Sequence, residues 1–140
     1  MSFVGINYWA VLMAAVAAWM VGALWYSVLG KQWMAAAGVG KTSIDEAARS
    51  VSGFLPFILA LVGAFVMAWM LAGIMGHLGD LTVKAGVISG AFCWFGFTIP
   101  AIVVNYVFAR RSPWLIVIDG GYWLIALAIM GAIIGGFGLR

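Results

Sequence analysis

A chain of 140 residues that is 66% hydrophobic, only 8% charged and +1.17 in mean hydropathy cannot make the water-facing surface of a soluble domain, which carries about 25% charged residues. Seven Lys and Arg against four Asp and Glu give a net charge of +3, with nearly all of these residues between apolar runs, which points to anionic lipid headgroups and away from nucleic acid. Cys93 is alone in an apolar run, which excludes a disulfide framework and a cysteine metal site.

No Lys or Arg precedes the first apolar run, so a cleaved signal peptide is not expected and this run stays in the mature protein. It covers 6–29 and carries Ala10, Ala14, Ala18 and Gly22 at four-residue spacing, a stripe that lets another helix approach closely. Ser27 lies near its end and Lys31 just beyond. The connection 30–52 is the one long link. Within it, the residues from Ala35 to Thr42 fit a permissive phosphate-loop pattern, but no strand precedes them, so neither nucleotide nor any other cofactor is expected. Ser43-Ile44-Asp45-Glu46 reads as a capping box opening a short helix, and Pro56 either kinks that helix or begins the second run.

The second run, 53–76, repeats the stripe with Ala60, Ala64, Ala68, Ala72 and Gly76. His77 and Asp80 flank a glycine-rich turn; two potential ligands without a third predict a solvated loop and no metal site. The third run, 85–108, has a Gly86–Gly90 step and Pro100 at its middle, which removes one backbone bond and frees the Gly96 carbonyl. Regular helical geometry puts Trp94, Thr98 and Asn105 on one face around that break. Ser112 and Pro113 are an N-cap and first-turn pair for the fourth run, 114–137, which carries a Gly131–Gly135 step.

Runs of roughly 24 residues are long enough to span a bilayer, and backbone satisfaction in lipid makes them helices. The expected architecture is an all-α integral membrane protein, a single four-transmembrane-helix bundle. The stripes serve packing within the bundle; because four helices need not use all of them, one is also a candidate surface for a homo-oligomer. Lys31, Lys41, Arg49, Arg110 and Arg111 fall on one side, five in all, against Lys84 and Arg140, two, on the other. That bias places both termini away from the cytoplasm. Trp9, Trp25, Trp33 and Trp114 with Tyr8 and Tyr26 lie near span ends as an aromatic belt; Trp19, Trp69 and Trp94 are deeper and read as space-filling.

Asp119 is the acid that needs explaining. With Trp114 at the interface, a rise of about 1.5 Å per residue puts Asp119 about 7–8 Å deeper. A carboxylate there costs on the order of 3 kcal/mol and is too short to snorkel out. It needs a partner, a wet cavity or a proton. Ser27, Lys31, Asn105, Arg110, Arg111 and Tyr122 gather at the same end of the bundle. Two readings stay open: a proton- or ion-handling group, and an ion pair with Lys31 or Arg110 that only fixes packing.

Gly22-Ala23-Leu24-Trp25-Tyr26-Ser27 followed by Gly30-Lys31-x-Trp33 resembles the domain of unknown function 1761 family of small four-helix bacterial membrane proteins. Ile6-Asn7-Tyr8-Trp9 and Trp94-Phe95-Gly96-Phe97 are similar to it as well. Here Val28-Leu29 stands where the family pattern is expected to have a longer, proline-containing stretch. The resemblance implies a four-helix fold in the bacterial inner membrane and no particular activity.

The functional expectation is binding or passage of a small solute or ion, with Asp119, Asn105, Lys31, Ser27, Tyr122 and Thr98 as candidate contacts. The alternative is a non-catalytic structural or accessory subunit of a larger membrane complex. An enzyme is not expected, since no Cys-His, Ser-His or metal cluster is visible in the sequence.

Overall fold

Backbone groups in lipid must be bonded within their own segment, and each apolar run accordingly becomes a helix. A computed structural model describes residues 3–138. The first span is α1 (Tyr8–Val28), opened by Asn7, whose Oδ1 accepts from the Ala10 amide at 3.2 Å. The chain bends at Leu29 into the short helix α2 (Gly30–Ala37), which stops at Gly38 in the left-handed region, φ +69°. Helix α3 (Lys41–Arg49) and a 3-10 turn (Val51–Phe54) complete the long connection. The second span is α4 (Leu55–Leu78), with Pro56 in its first turn, where a missing N–H costs nothing. Pro56 therefore begins the span and kinks nothing.

The expected capping box is corrected. Helix α3 starts at Lys41, because the Gly40 carbonyl already accepts the Ile44 amide at 3.4 Å, and Ser43 lies inside the helix.

The third span opens with α5 (Val83–Cys93), capped by Thr82, whose Oγ1 accepts from the Ala85 amide at 3.1 Å. A π-helical turn, Trp94–Thr98, follows, and then α6 (Ile99–Phe108). The fourth span is α7 (Pro113–Phe137); the Ser112 hydroxyl accepts from the Trp114 amide at 3.3 Å and Pro113 occupies the first turn. Four helices are thus long and apolar enough to cross a membrane, and the chain is an all-α multi-pass membrane protein.

The fourth span is the centre of the bundle. It packs closely against the first span and against the α5 part of the third, and touches the rest of the third and the second more lightly. It buries Leu115, Ile118, Tyr122, Ala126, Leu127, Met130 and Ile134. The first span turns Ala10, Ala14, Ala18 and Gly22 inward, and the second turns Ala64, Ala68 and Ala72. Ala60 of that stripe is exposed. In the third span only Gly86 and Gly90 are buried. A Cβ on Gly90 would strike the Leu127 carbonyl, and one on Gly135 the Thr82 carbonyl, so these backbones touch with no room for a side chain. Apart from Ala60, the stripes face the interior, while large side chains such as Leu24, Phe57, Phe92 and Phe108 point outward.

Candidate functional site

Asp119 lies in the second turn of α7 and is 8% exposed. Both carboxylate oxygens have a partner. The Tyr26 hydroxyl of the first span donates to Oδ1 at 2.5 Å, and the Tyr106 hydroxyl of the third donates to Oδ2 at 2.7 Å. A carboxylate accepts only, so two hydroxyl donors from two different spans, one to each oxygen, match the bare anion. Hydrogen bonds to a charged group contribute about 1.5–3 kcal/mol each, and two of them offset an insertion cost of about 3 kcal/mol.

The backbone around the acid is gripped as well. Trp25 Nε1 donates to the Ile118 carbonyl at 3.0 Å and Trp94 Nε1 to the Gly120 carbonyl at 2.8 Å, the residues on either side of Asp119. Glycines make this approach possible. A Cβ on Gly121 would come within 3.2 Å of the Trp25 ring, and one on Gly120 within 2.6 Å of Ile99 Cδ1. Tyr122 donates to the Ala18 carbonyl at 3.1 Å and lies over Gly22, where a Cβ would come within 2.9 Å of its hydroxyl. Its ring meets Tyr26 edge-on at 5.5 Å.

Helix α2 lies at the same end. Trp33 meets the Tyr26 ring edge-on at 6.4 Å, and Arg111 donates from Nη1 to the Ala37 carbonyl at 3.1 Å, tying α2 to the 109–112 turn. That turn holds Arg110 in the left-handed region at φ +54°. The Arg110 amide bonds to the Val107 carbonyl at 3.1 Å and the Arg111 amide to Tyr106 at 2.8 Å, the paired bonds of a Schellman cap with arginine where glycine is usual.

The six candidate contacts divide. Asp119 and Tyr122 are in the buried cluster. Ser27 is exposed and returns its hydroxyl to the Ala23 carbonyl at 2.5 Å. Lys31 is exposed, and among the described residues no cationic side chain lies within ion-pairing distance of Asp119. Asn105 is exposed, and Thr98 lines a shallow groove of about 180 Å³ between the second and third spans, with Met67, Met70, Leu71, Cys93 and Phe97 among its neighbours. Asp119 does not line that groove. The tyrosine pair takes the place of the ion pair with Lys31 or Arg110, and Trp94 is a hydrogen-bond donor at the site as well as a space-filler.

The site residues that sequence reasoning missed are Tyr106, Tyr26 as a ligand, and the two indoles. A regular helix brings Asn105 round to the face of Trp94 and Thr98. The π turn adds one residue: the Ile99 amide bonds to Trp94, five residues back, so the following face is one residue later. Ile99, Ile102 and Tyr106 are the half-buried positions of α6, while Ala101 and Asn105 are exposed. Gly96 and Pro100, both visible in the sequence, are the signal that regular geometry fails there.

Among the described residues no three or more His, Cys, Asp or Glu side chains come together as a metal site, and Ala35–Thr42 forms a helix end, a left-handed glycine and a helix start with no strand before it. Of the residues behind the orientation bias, Arg140 lies outside the described residues.

No curated protein and no solved structure matches the chain. A protein family described as "protein of unknown function (DUF1761)" matches residues 9–135, which includes Trp25, Tyr26, Trp33, Trp94, Tyr106 and Asp119. The chain belongs to that family.

Proposed function

We propose that this is a non-catalytic protein of the bacterial inner membrane that binds a proton or a small cation at Asp119, as part of handling a small solute or ion. One observation carries the reading: a carboxylate buried in a membrane span, held by two neutral hydroxyl donors, with no cationic side chain in ion-pairing distance among the described residues. Such an anion has its charge spread but not cancelled, and a proton or cation cancels it. The stretch that carries the family resemblance supplies Trp25, Tyr26 and Trp33 to the same place, which supports the reading. Both termini are assigned to the periplasmic face on the Lys and Arg bias.

The test is reconstitution into liposomes containing a pH-sensitive dye, with acid, sodium or potassium pulses outside. The reading requires a response that Asp119→Asn abolishes while the protein stays folded. An equal response from that variant, or none from the parent protein, overturns it.

A second reading has its own support. The bonds of Asp119 join the first, third and fourth spans, which suits a structural clasp in an accessory subunit. Stable co-purification with a larger complex, and a loss of stability in Asp119→Asn with no change in flux, would favour it.

A further inference from the structure

The polar residues and the backbone of the third span are out of phase. Tyr106 faces Asp119 only because the π turn Trp94–Thr98 contains one residue more than an α turn. Asn105, which regular geometry would bring to that position, is exposed and has no side-chain partner among the described residues. The upper part of the span is fixed by the Gly86 and Gly90 contacts and by the Trp94 bond to the Gly120 carbonyl. Closing the π turn with that part held rotates the rest by one residue, roughly 100°, with a shift of about 1.5 Å. Tyr106 then leaves Asp119 and Asn105 replaces it, while Ala101 and Thr98 replace Ile102 and Ile99.

We propose that Trp94–Thr98 is a register switch that responds to the occupancy of Asp119 by exchanging Tyr106 for Asn105. The proposal rests on the reading of Asp119 as a proton or cation site. The two registers suit different states of the acid. A bare carboxylate is served by two donors, Tyr26 and Tyr106. Once a proton or cation sits there, one tyrosine hydroxyl has to turn round and accept through its phenol oxygen. That oxygen is a weaker acceptor than the amide carbonyl of Asn105, which accepts from the acid or ligates the cation better. That difference in interaction between states is what coupling requires. Pro100 has no N–H, so closing the turn cannot restore a full ladder across it, and the α register has less advantage than elsewhere. Tyr106, turned outward near the span end, takes the interfacial position that suits a tyrosine.

The titratable and charged groups around Asp119 are few. Tyr26 comes from the first span and Tyr106 from the third; Tyr122, from its own helix, packs on Tyr26. Arg111, just past the end of the third span, is bonded to the Ala37 carbonyl, and Lys31 and Arg110 are exposed without pairing to the acid. His77 ends the second span, at the opposite end of the bundle.

The experiment uses the full chain in lipid nanodiscs with labelled asparagine side-chain amides and aspartate carboxyl carbons, titrated from high to low pH and then with sodium or potassium chloride. Asn105 and Asn7 are the two asparagines of the chain, so Asn7 is an internal reference. The Asp119 signal is identified by its loss in Asp119→Asn. A shift of the Asp119 carbon accompanied by a shift of the Asn105 amide supports the switch. A shift of Asp119 with a stationary Asn105 overturns the switch and leaves the site. An Asp119 carbon that responds to neither pH nor cation overturns both. Two variants separate the registers. Deleting Phe95, which is 72% exposed, removes the extra residue while keeping Tyr106 in phase, and should hold the Asn105 signal at its high-pH position throughout. Pro100→Ala restores the donor and should move that signal toward its low-pH position even at high pH. An Asn105 signal that titrates normally in either folded variant overturns the proposal.

Discussion

Gly86 and Gly131 lie opposite each other so closely that a Cβ placed on either would run into the carbonyl of the other. The contact is reciprocal and is made by backbone, which cannot rotate aside as a side chain can. Gly131→Leu should therefore separate the third and fourth spans. Overpacking typically costs about 1–3 kcal/mol, and a backbone clash belongs at the upper end or beyond. The measurement is the midpoint of unfolding in mixed detergent. Gly63→Ala, inside α4 where nothing lies near the added methyl, is the control and should be neutral or slightly stabilising.

Removing one hydroxyl from the Asp119 cluster should be costly. Tyr106→Phe leaves Oδ2 without a donor in an apolar setting and should lower stability by about 1.5–3 kcal/mol. Tyr26→Phe should cost a similar amount. Lys31→Met and Arg110→Met should change stability little, since neither side chain pairs with the acid. A large loss in Lys31→Met that Asp119→Asn rescues would mean that an ion pair, and not the tyrosine pair, holds the carboxylate.

Arg110 holds a backbone conformation that glycine adopts freely and a side chain resists by about 1–2 kcal/mol. Arg110→Gly should raise thermal stability by about 1 kcal/mol. Arg110→Val, with its branched Cβ, should lower it. A thermal melt of the three proteins in the same detergent gives the order; a glycine variant less stable than the parent would show that the Arg110 side chain contributes more than its backbone strain costs.

Lys41 begins an exposed helix after a glycine in an ordinary conformation, and no strand sets up a phosphate loop around it. Lys41→Ala should leave the melting temperature within experimental scatter, and ATP should not shift it for either protein. Saturable ATP stabilisation that disappears in the variant would contradict this.

Reporter fusions read the topology. A fusion after Gly138 should be active in the periplasm and one in the 109–112 turn in the cytoplasm, given the Lys and Arg bias. The reverse pattern would invert the orientation while leaving the bundle unchanged.

Hydropathy alone marked the four spans, because lipid leaves so few ways to satisfy a backbone. The expected 53–76 and 85–108 become Leu55–Leu78 and Val83–Phe108, shifts of two residues. The small-residue stripes and the Ser112-Pro113 start were legible for the same reason: each is a local device with one geometric use. Asp119 was legible as an anomaly, but its partners were not. Tyr26 and Tyr106 lie 93 and 13 residues from it, and which of Asn105 and Tyr106 faces it turns on a single residue of π geometry. Propensity cannot decide that; the packing of Gly86, Gly90 and Trp94 against the fourth span does.

The central position of Pro113–Phe137 has a consequence for biosynthesis. It is the last of the four spans to leave the ribosome, yet it supplies the surface on which the first and third pack. Until it arrives, the glycine face of the third span has no backbone to meet, and the hydroxyls of Tyr26 and Tyr106 lack their acceptor. The nascent protein is therefore an unclosed set of spans that a membrane protease or insertase can still distinguish from the finished bundle. A chain truncated after Ser112 should insert and then be degraded faster than the full chain in a pulse-chase. Supplying residues 113–138 as a separate segment should slow that decay.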